Sequence, residues 1–194
     1  MISRITERLS ALGVQITTIT PAIHSVDDLK LKSPAEVAKR LVILSYLIGV
    51  YYDVDAKDLV EQLKKYKLYH SLTQTELALL SQNEYDEQDV IDAGWLQECI
   101  EILGWSLGMS NKPLDHQNEA GLSMAEYIPV MKNPEKFIEK ATLLSPEKLL
   151  EEYLVLHHLF HFLQQEEHLL IDADIILERC RAINWICGIE TDWI

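Results

Sequence analysis

The segment from Asp89 to Met109 constrains the fold of this chain more than any other part of the sequence. Apolar side chains recur along it in two adjacent rows, with the three- to four-residue spacing of an α-helix. One row contains Ile91, Trp95, Cys99 and Ile102, and the other contains Leu96, Ile100, Leu103 and Leu107. A helix that is apolar around most of its circumference is normally surrounded by other elements. We therefore expect a central helix near residues 89–108, with the rest of the chain packed around it.

Two glycines interrupt this apolar segment. Gly94 and Gly104 each cost about 1 kcal/mol of helix stability relative to alanine. Such positions make sense where a neighbouring part of the chain approaches closely. We therefore expect another backbone to cross the central helix at each glycine.

Helix start signals recur along the chain. Ser33-Pro34-Ala35-Glu36 combines an N-cap serine, proline at the first helical position and a capping-box glutamate. Thr73-Gln74-Thr75-Glu76 is a second capping box, and Asn133-Pro134 and Ser145-Pro146 begin two further predicted helices. The last of these is long, and its apolar stripe predicts a helix that continues to about Leu169.

One segment, residues 14–26, is typical of a strand. It is rich in β-branched residues and is broken by Pro21, but no other segment has the pattern of a partner strand. We therefore predict an all-α fold, a single-domain bundle of about seven to nine helices over residues 1–194. Residues 1–32 would form an N-terminal helix with an extended segment packed on it, and residues 33–194 the helical core.

Composition and charge limit the classes of partner. The chain has 48% hydrophobic and 25% charged residues, as ordinary globular proteins do, and a formal net charge of −14. Residues 71–194 hold 23 acidic and 7 basic side chains, so we expect no nucleic-acid partner. The longest nearly unbroken apolar run, Leu41 to Tyr52, has 12 residues, which is too short to cross a membrane.

The cysteines and the N-terminal residues favour a cytoplasmic location. Cys99, Cys180 and Cys187 all lie in apolar helical segments, and none belongs to a C-x-x-C pair. Such an odd, buried set is typical of reduced thiols in the cytoplasm. The first residues of the sequence also lack the apolar segment of a signal peptide.

Two segments resemble the patterns of a bacterial family called domain of unknown function 4272. Trp95 to Cys99 followed by Gly104 to Gly108 is similar to its W-x-x-E-A … W-A-L-G pattern, and Arg179 to Ile186, with Asp192 beyond, resembles R-x-R-A-L-N-W-L. The helix at Pro34–Arg40 is similar to an early A-x-R-A-L helix of the family. His158 departs from the family pattern, which tends to have tryptophan there. The resemblance implies a shared fold, and the family name implies no activity.

Glu98 is the most prominent polar residue of the predicted central helix. It lies at the edge of the apolar surface, where a carboxylate without a partner would be strongly unfavourable. Arg40, Arg179 and Arg181 occupy apolar helical surroundings, and we expect Glu98 to pair with Arg40 or Arg181. His157 completes this candidate buried polar cluster. The cluster would fix the register of the helices or form the floor of a ligand pocket, and the third alternative is that Glu98 is simply exposed.

His157 and His161 form the weak alternative for a metal site. They are four residues apart and so share one helical face, a spacing that can hold a metal ion. In the H-E-x-x-H helix of zinc peptidases a glutamate follows the first histidine, whereas His158 occupies that position here. No third ligand is evident, so we expect semi-buried histidines and no metal.

The sequence contains no recognisable catalytic motif. Neither a G-x-S-x-G elbow nor a glycine-rich phosphate loop occurs, so we predict no catalytic residue and no cofactor. The leading hypothesis is a cytoplasmic, non-enzymatic protein-interaction domain whose acidic surface binds a basic protein, as an immunity or antitoxin-type protein would. The alternative is a small-molecule-binding or metal-dependent enzyme with its site between the central, histidine-rich and C-terminal helices.

Overall fold

The fold is a bundle of helices. The computed structural model describes residues 1–14, 21–82, 84–110, 112–165 and 171–193, and within these ranges no strand occurs. The eight α-helices of this described part are α1 (Ile2–Ala11), α2 (Pro34–Leu47), α3 (Ala56–Lys65), α4 (Gln74–Leu80), α5 (Glu87–Ser106), α6 (Glu135–Glu139), α7 (Pro146–Leu163) and α8 (Ala173–Ile186). The predicted all-α bundle is confirmed.

Capping residues begin α2 and α4 as the sequence indicated, whereas no side-chain cap bond forms at Pro134, which precedes α6, or at Ser145, which precedes α7. The Ser33 hydroxyl accepts from the Glu36 backbone N–H, and the Glu36 carboxylate accepts from the Ser33 N–H at 2.9 Å. The same reciprocal arrangement begins α4 at Thr73. A third capping box, Asp86 with Asp89, begins α5 and was not predicted. Because these bonds satisfy N–H groups that a helix leaves unpaired, they determine where each helix begins.

Some helix ends differ from the predicted ones. The apolar run of the helix that begins at Pro34 predicts an end at about Tyr51, whereas α2 ends at Leu47 and a 3₁₀ turn at Ile48–Val50 continues the chain. Helix α7 ends at Leu163, and residues 166–170, which include most of its predicted extension, lie outside the described residues. Residues 15–20 of the predicted extended segment also lie outside them.

Helix α5 is the centre of the bundle, as predicted. It packs most extensively against α8 and α2, and also contacts the 3₁₀ turns at Ile48–Val50 and Leu122–Tyr127. Its inner side chains, such as Ile102 and Leu103, are fully buried. None of the helices in the described part of the chain is long and apolar enough to cross a membrane.

The glycines of α5 are approached by side chains and not by a backbone. The ring of Tyr51 lies over Gly94, where an added Cβ would be 2.8 Å from a ring carbon. Met124 lies over Gly104, and an added Cβ would overlap its sulfur. The expectation of a close approach is therefore right at both positions, but the expected backbone crossing is wrong.

The C-terminal residues are held against the start of α2. The Lys30 and Lys32 backbone N–H groups donate to the carbonyls of Cys187 and Ile186 at 3.1 and 3.0 Å. Trp193 then packs edge-on against Trp185, with ring centroids 5.2 Å apart. This arrangement places Trp193 beside α5 and α8, where it lines a surface cleft.

Candidate functional site

Glu98 of α5 forms a buried ion pair with Arg179 of α8. Both side chains are almost fully buried, with exposed fractions of 3% and 1%. The Arg179 Nε donates to Glu98 Oε2 at 2.8 Å, and Nη2 lies 2.7 Å from the same oxygen. The other carboxylate oxygen of Glu98 accepts from the Ala120 backbone N–H at 2.7 Å. The carboxylate thus has partners at both oxygens, as a buried charge requires.

This pairing corrects the expectation that Glu98 binds Arg40 or Arg181. Arg181 is half-exposed and donates to Glu178 at 2.9 Å. It lies two residues from Arg179, and positions two apart on a helix point to different sides. Arg179 therefore faces α5, and Arg181 faces outward. The sequence placed all three arginines in similarly apolar segments and did not distinguish their directions.

Arg40 and His157 also have separate partners. Arg40 donates to Glu76 of α4 at 2.7 Å, and His157 Nε2 lies 3.2 Å from the Asn184 side-chain oxygen. Arg40, Glu98, His157 and Arg181 therefore do not form the single polar cluster that we expected. Glu98, Arg40 and His157 contribute to separate contacts between helices, whereas Arg181 forms an ion pair within α8.

The buried network continues from Arg179 into the loop that follows α5. Arg179 donates to the carbonyls of Asp115 and Asn118, and its Nη1 lies 3.3 Å from His116 Nδ1. On its other side, His116 Nε2 lies 2.9 Å from Glu152 of α7. Because a guanidinium can only donate, Nδ1 accepts from Arg179. Nε2 lies between Glu152 and a second guanidinium, that of Arg8, whose Nη2 is 3.4 Å away.

Glu152 links this network to α1. It is buried, and Arg8 donates to its second carboxylate oxygen at 2.7 Å. Burial would raise the pKa of Glu152, but its contacts with His116 and Arg8 outweigh that effect, so the pKa lies below its ordinary value. The network thus contains two carboxylates and two guanidiniums, and it fastens the loop at residues 112–120 to four helices.

His116, Glu152 and Arg8 were not singled out from the sequence. His116 lies in a polar loop, and Glu152 follows another glutamate on a helix that contains many charged residues. Local sequence gives no sign that these side chains turn inward. Only the packing of α1, α7 and the loop brings them together.

The outer side of α5 forms one wall of a surface cleft of about 500 Å³ between α4, α5 and α8. We call this depression the acidic cleft. Its apolar lining includes Leu79, Trp95, Leu96 and Trp193, and its acidic lining consists of Glu76, Asp89, Asp92 and Glu178. Arg181, which binds Glu178, is the one cation among these lining residues.

The carboxylates of the acidic cleft differ in their partners. Glu76 and Glu178 are bound to arginines, and burial raises the pKa of Glu178 even though Arg181 opposes the shift. Asp92 is exposed and accepts from the Gln88 side chain at 2.7 Å. Asp89 accepts from a backbone N–H. Within the described part of the chain, neither aspartate forms a salt bridge.

Two further depressions continue the acidic cleft along α5. A shallow one of about 220 Å³ is lined by Tyr51, Ile91 and Glu119 and shares Trp95 with the acidic cleft. A third of about 360 Å³ is almost wholly apolar and shares Gln97 with the shallow one. We call the third depression the apolar pocket, and the three together the α5 face.

The family described as "Domain of unknown function (DUF4272)" matches residues 1–193. The chain belongs to this family. No curated protein and no solved structure matches this chain.

The two segments that carry the DUF4272 patterns meet in the structure. Glu98 lies in the W-x-x-E segment and Arg179 in the R-x-R segment, so the buried ion pair joins them. Arg40, in the early helix similar to that of DUF4272, reaches α4 and lies 5.3 Å from the Trp193 ring. In this DUF4272 chain the pattern residues therefore hold the helices in register around α5.

The candidate histidine pair lies on α7. His157 is bonded to Asn184, and the side-chain nitrogen of Gln165 lies 3.1 Å from His161 Nε2. Burial lowers the pKa of His157 and His158. The described residues contain no group of three or more His, Cys, Asp or Glu side chains placed to hold a metal ion. His168 lies outside those residues.

Proposed function

We propose that this chain is a protein-interaction domain that binds a basic segment of a partner protein on the α5 face. The observation that carries the proposal is the acidic cleft, in which apolar side chains and carboxylates line the same depression. A lysine or arginine side chain has matching chemistry, since its stem is apolar and its end is cationic. The cation would meet Asp89 and Asp92, and the stem would contact Leu96.

Aromatic residues in the cleft add to this match. Trp95 and Trp193 both line it; the Trp193 ring already lies 5.3 Å from the Arg40 guanidinium, so Trp95 is the face open to a partner's cation. Tryptophan faces attract cations, an interaction of about 0.5–1 kcal/mol at exposed sites and more when water is excluded. Aromatic side chains are also enriched at protein interfaces, whereas large exposed acidic surfaces without them serve mainly solubility.

The buried network supports this role by keeping the surface preformed. Glu98, Arg179 and Glu152 fix α5, α7 and α8 relative to one another. A rigid surface loses less conformational entropy when a partner binds, so more of the contact energy remains as affinity. The network then acts as a scaffold and not as a reactive centre.

The partner class follows from charge. Residues 71–194 carry most of the net negative charge, which would speed the approach of a basic partner. An immunity or antitoxin-type protein that covers the basic surface of a cytoplasmic bacterial toxin is one form of this function. Three reduced, buried cysteines fit that location.

A pull-down from an extract of the source cells tests the proposal. Asp92→Lys reverses one exposed charge of the acidic cleft, and Glu7→Lys makes the same change on the exposed side of α1, outside the cleft. The wild type and Glu7→Lys should retain a protein with a basic binding segment, less strongly as salt rises, and Asp92→Lys should lose it. Equal retention by both variants would contradict a role for the acidic cleft.

The competing hypothesis is a small-molecule-binding or metal-dependent enzyme. One observation favours it: Glu152 and Arg8 also line a cleft of about 360 Å³ with Lys112, Lys148 and Trp105. Buried, paired ionisable groups beside a cleft are common at active sites. Metal analysis of the purified protein, with Glu152→Gln and His161→Ala as variants, tests this hypothesis. Stoichiometric metal that either variant removes would support it over protein docking.

A further inference from the structure

We propose that the apolar pocket of the α5 face receives one bulky apolar side chain from the same basic partner segment. This inference rests on the proposed function and specifies the partner: a segment with cationic residues for the acidic cleft and an aromatic or large aliphatic anchor for the pocket. The pocket lies at the far end of the α5 face from the acidic cleft.

The pocket has the size and lining of an anchor site. Its volume of about 360 Å³ lies at the low end of the range for binding pockets. Buried side chains, including Tyr46, Leu59 and Ile100, form its interior. Exposed apolar groups, Tyr52 and Met131, lie at its rim with 48% and 62% of their surface accessible. Because the pocket opens at the surface and its lining is almost wholly apolar, it suits an apolar side chain from a partner.

Hydrogen bonds hold the pocket walls in place. The Met131 N–H donates to the Tyr46 hydroxyl at 2.9 Å, and the Tyr66 hydroxyl donates to the Met131 carbonyl at 3.1 Å. These bonds hold Met131 at a φ of 61°, in the left-handed region. At the other wall, Gln97 donates to the Ala120 carbonyl, beside the N–H that binds Glu98. The pocket is therefore preformed.

The polar groups of the lining favour a side chain over a free ligand. Sites for free small molecules usually present a few convergent polar groups that orient the ligand. Here the Ser45 hydroxyl donates to the Leu41 carbonyl at 2.8 Å, and Tyr46 and Gln97 are bonded as described. These polar groups already have partners within the protein. The pocket thus offers mainly apolar contact, which is typical of an interface pocket that takes one anchor residue.

Continuity and charge connect this pocket to the acidic cleft. Trp95 and Gln97 belong to the shared borders of the three depressions. Of the six carboxylates in their linings, Glu76, Glu98 and Glu178 are paired with arginines. The other three, Asp89, Asp92 and Glu119, form no salt bridge within the described part of the chain. A segment that crosses the α5 face therefore meets acidic groups over the cleft and the shallow depression before it reaches the pocket. This order defines a basic segment with an apolar anchor at one end.

Short synthetic peptides test the inference. The first probe is a lysine-rich peptide with one phenylalanine at its end, the second has alanine in place of that phenylalanine, and the third has glutamates in place of the lysines. Fluorescence anisotropy measures binding of each peptide to the full chain. Burial of a phenylalanine side chain should make the first peptide bind about tenfold more tightly than the second, or better.

Filling the pocket should remove this advantage. Ala125 is exposed and lines the pocket, so Ala125→Trp places a large side chain there. Gly121→Leu is a second variant at the pocket lining, and it is sterically tolerated because an added Cβ at Gly121 meets no atom within 4 Å. Ala11→Trp is the matched control on the exposed side of α1. Both variants should bind the phenylalanine and alanine peptides with equal affinity, whereas Ala11→Trp should still bind the phenylalanine peptide more tightly.

The outcomes separate this inference from the proposed function. If both lysine peptides bind equally to the wild type, while Asp92→Lys weakens both, basic docking holds and the anchor inference is overturned. If toluene binds the pocket by protein-observed NMR but phenylalanine gives the peptide no advantage, the pocket serves a free apolar ligand and the inference is again overturned. If the glutamate peptide binds as well as the lysine peptides, both proposals fail.

Discussion

Removing the Glu98 carboxylate should strongly destabilise the fold. In Glu98→Ala, the Arg179 guanidinium stays in an environment where 1% of its surface is exposed. Arginine cannot lose its proton at any pH the fold tolerates, so the charge remains buried without its partner. The Ala120 N–H loses its acceptor as well. Loss of one partner of a buried ion pair costs about 3–5 kcal/mol of unfolding free energy, and we expect a value in that range.

A double-mutant cycle identifies the partner. Glu98→Ala combined with Arg179→Met removes both charges, so its cost should be smaller than the sum of the single costs by about 3 kcal/mol. The unfolding free energy of the double variant will not return to the wild-type value, because the Asp115 and Asn118 carbonyls lose the Arg179 donor. Arg181→Met is the matched control. Arg181 binds Glu178 instead, so its cost should add to that of Glu98→Ala within about 0.5 kcal/mol.

Urea denaturation followed by far-UV circular dichroism measures these free energies. The slope of the unfolding free energy against urea concentration should be the same for all variants, since a changed slope would signal a changed native or denatured state. A cost below about 0.5 kcal/mol for Glu98→Ala is typical of exposed sites and would refute the buried pair. Coupling to Arg181 in place of Arg179 would refute the arrangement of α5 and α8.

Three further predictions concern acid stability, thiol reactivity and one glycine. The lowered pKa of Glu152 stabilises the fold above the ordinary pKa of about 4.5, and this contribution is lost as pH falls through the folded-state pKa. Urea denaturation at pH 7 and at pH 3, which is roughly one unit or more below the ordinary pKa, should therefore show a smaller difference in unfolding free energy between wild type and Glu152→Gln at pH 3. A difference that does not change with pH would be inconsistent with the lowered pKa. Burial raises the pKa of Cys180 and Cys187 to about 12, so iodoacetamide at neutral pH should modify the native protein far more slowly than the urea-unfolded protein, and equal rates would contradict their burial. Gly188 has a φ of 75°, and an added Cβ would overlap the Lys30 backbone oxygen, so Gly188→Ala should lower the unfolding free energy by more than about 2 kcal/mol. Gly121 has open space around it, so Gly121→Ala should change the unfolding free energy by less than about 0.5 kcal/mol.

Local sequence patterns predicted the helices because capping and periodicity act over a few residues. The capping boxes at Ser33 and Thr73 and the apolar rows of α5 each depend on neighbours within one or two turns. Where the end of a helix depends on packing, the prediction was less accurate. Helix α2 ends at Leu47 because the chain tightens into a 3₁₀ turn there, although the apolar run continues to Tyr52.

The candidate site was less predictable, because partners in it are far apart in the chain. Glu98 is recognisable as a buried carboxylate, yet its partner lies 81 residues away and two residues from a similar arginine. His116 comes from a loop without periodicity. The α5 face likewise combines α4, α5, α8 and the 3₁₀ segment Leu122–Tyr127, so no single stretch of sequence marks it.

Site-specific photo-crosslinking tests the docking role of the α5 face most directly. A photoreactive amino acid at Ile91 lies on the α5 face, and the same residue at Leu177 lies on α8 outside it. The two positions are matched in exposure, at 44% and 43%. In source-cell extract, we predict that position 91 captures one protein through a basic segment, that Asp92→Lys abolishes the capture, and that position 177 captures none of it. Equal capture of the same protein at both positions, or capture unaffected by Asp92→Lys, would contradict docking on the α5 face.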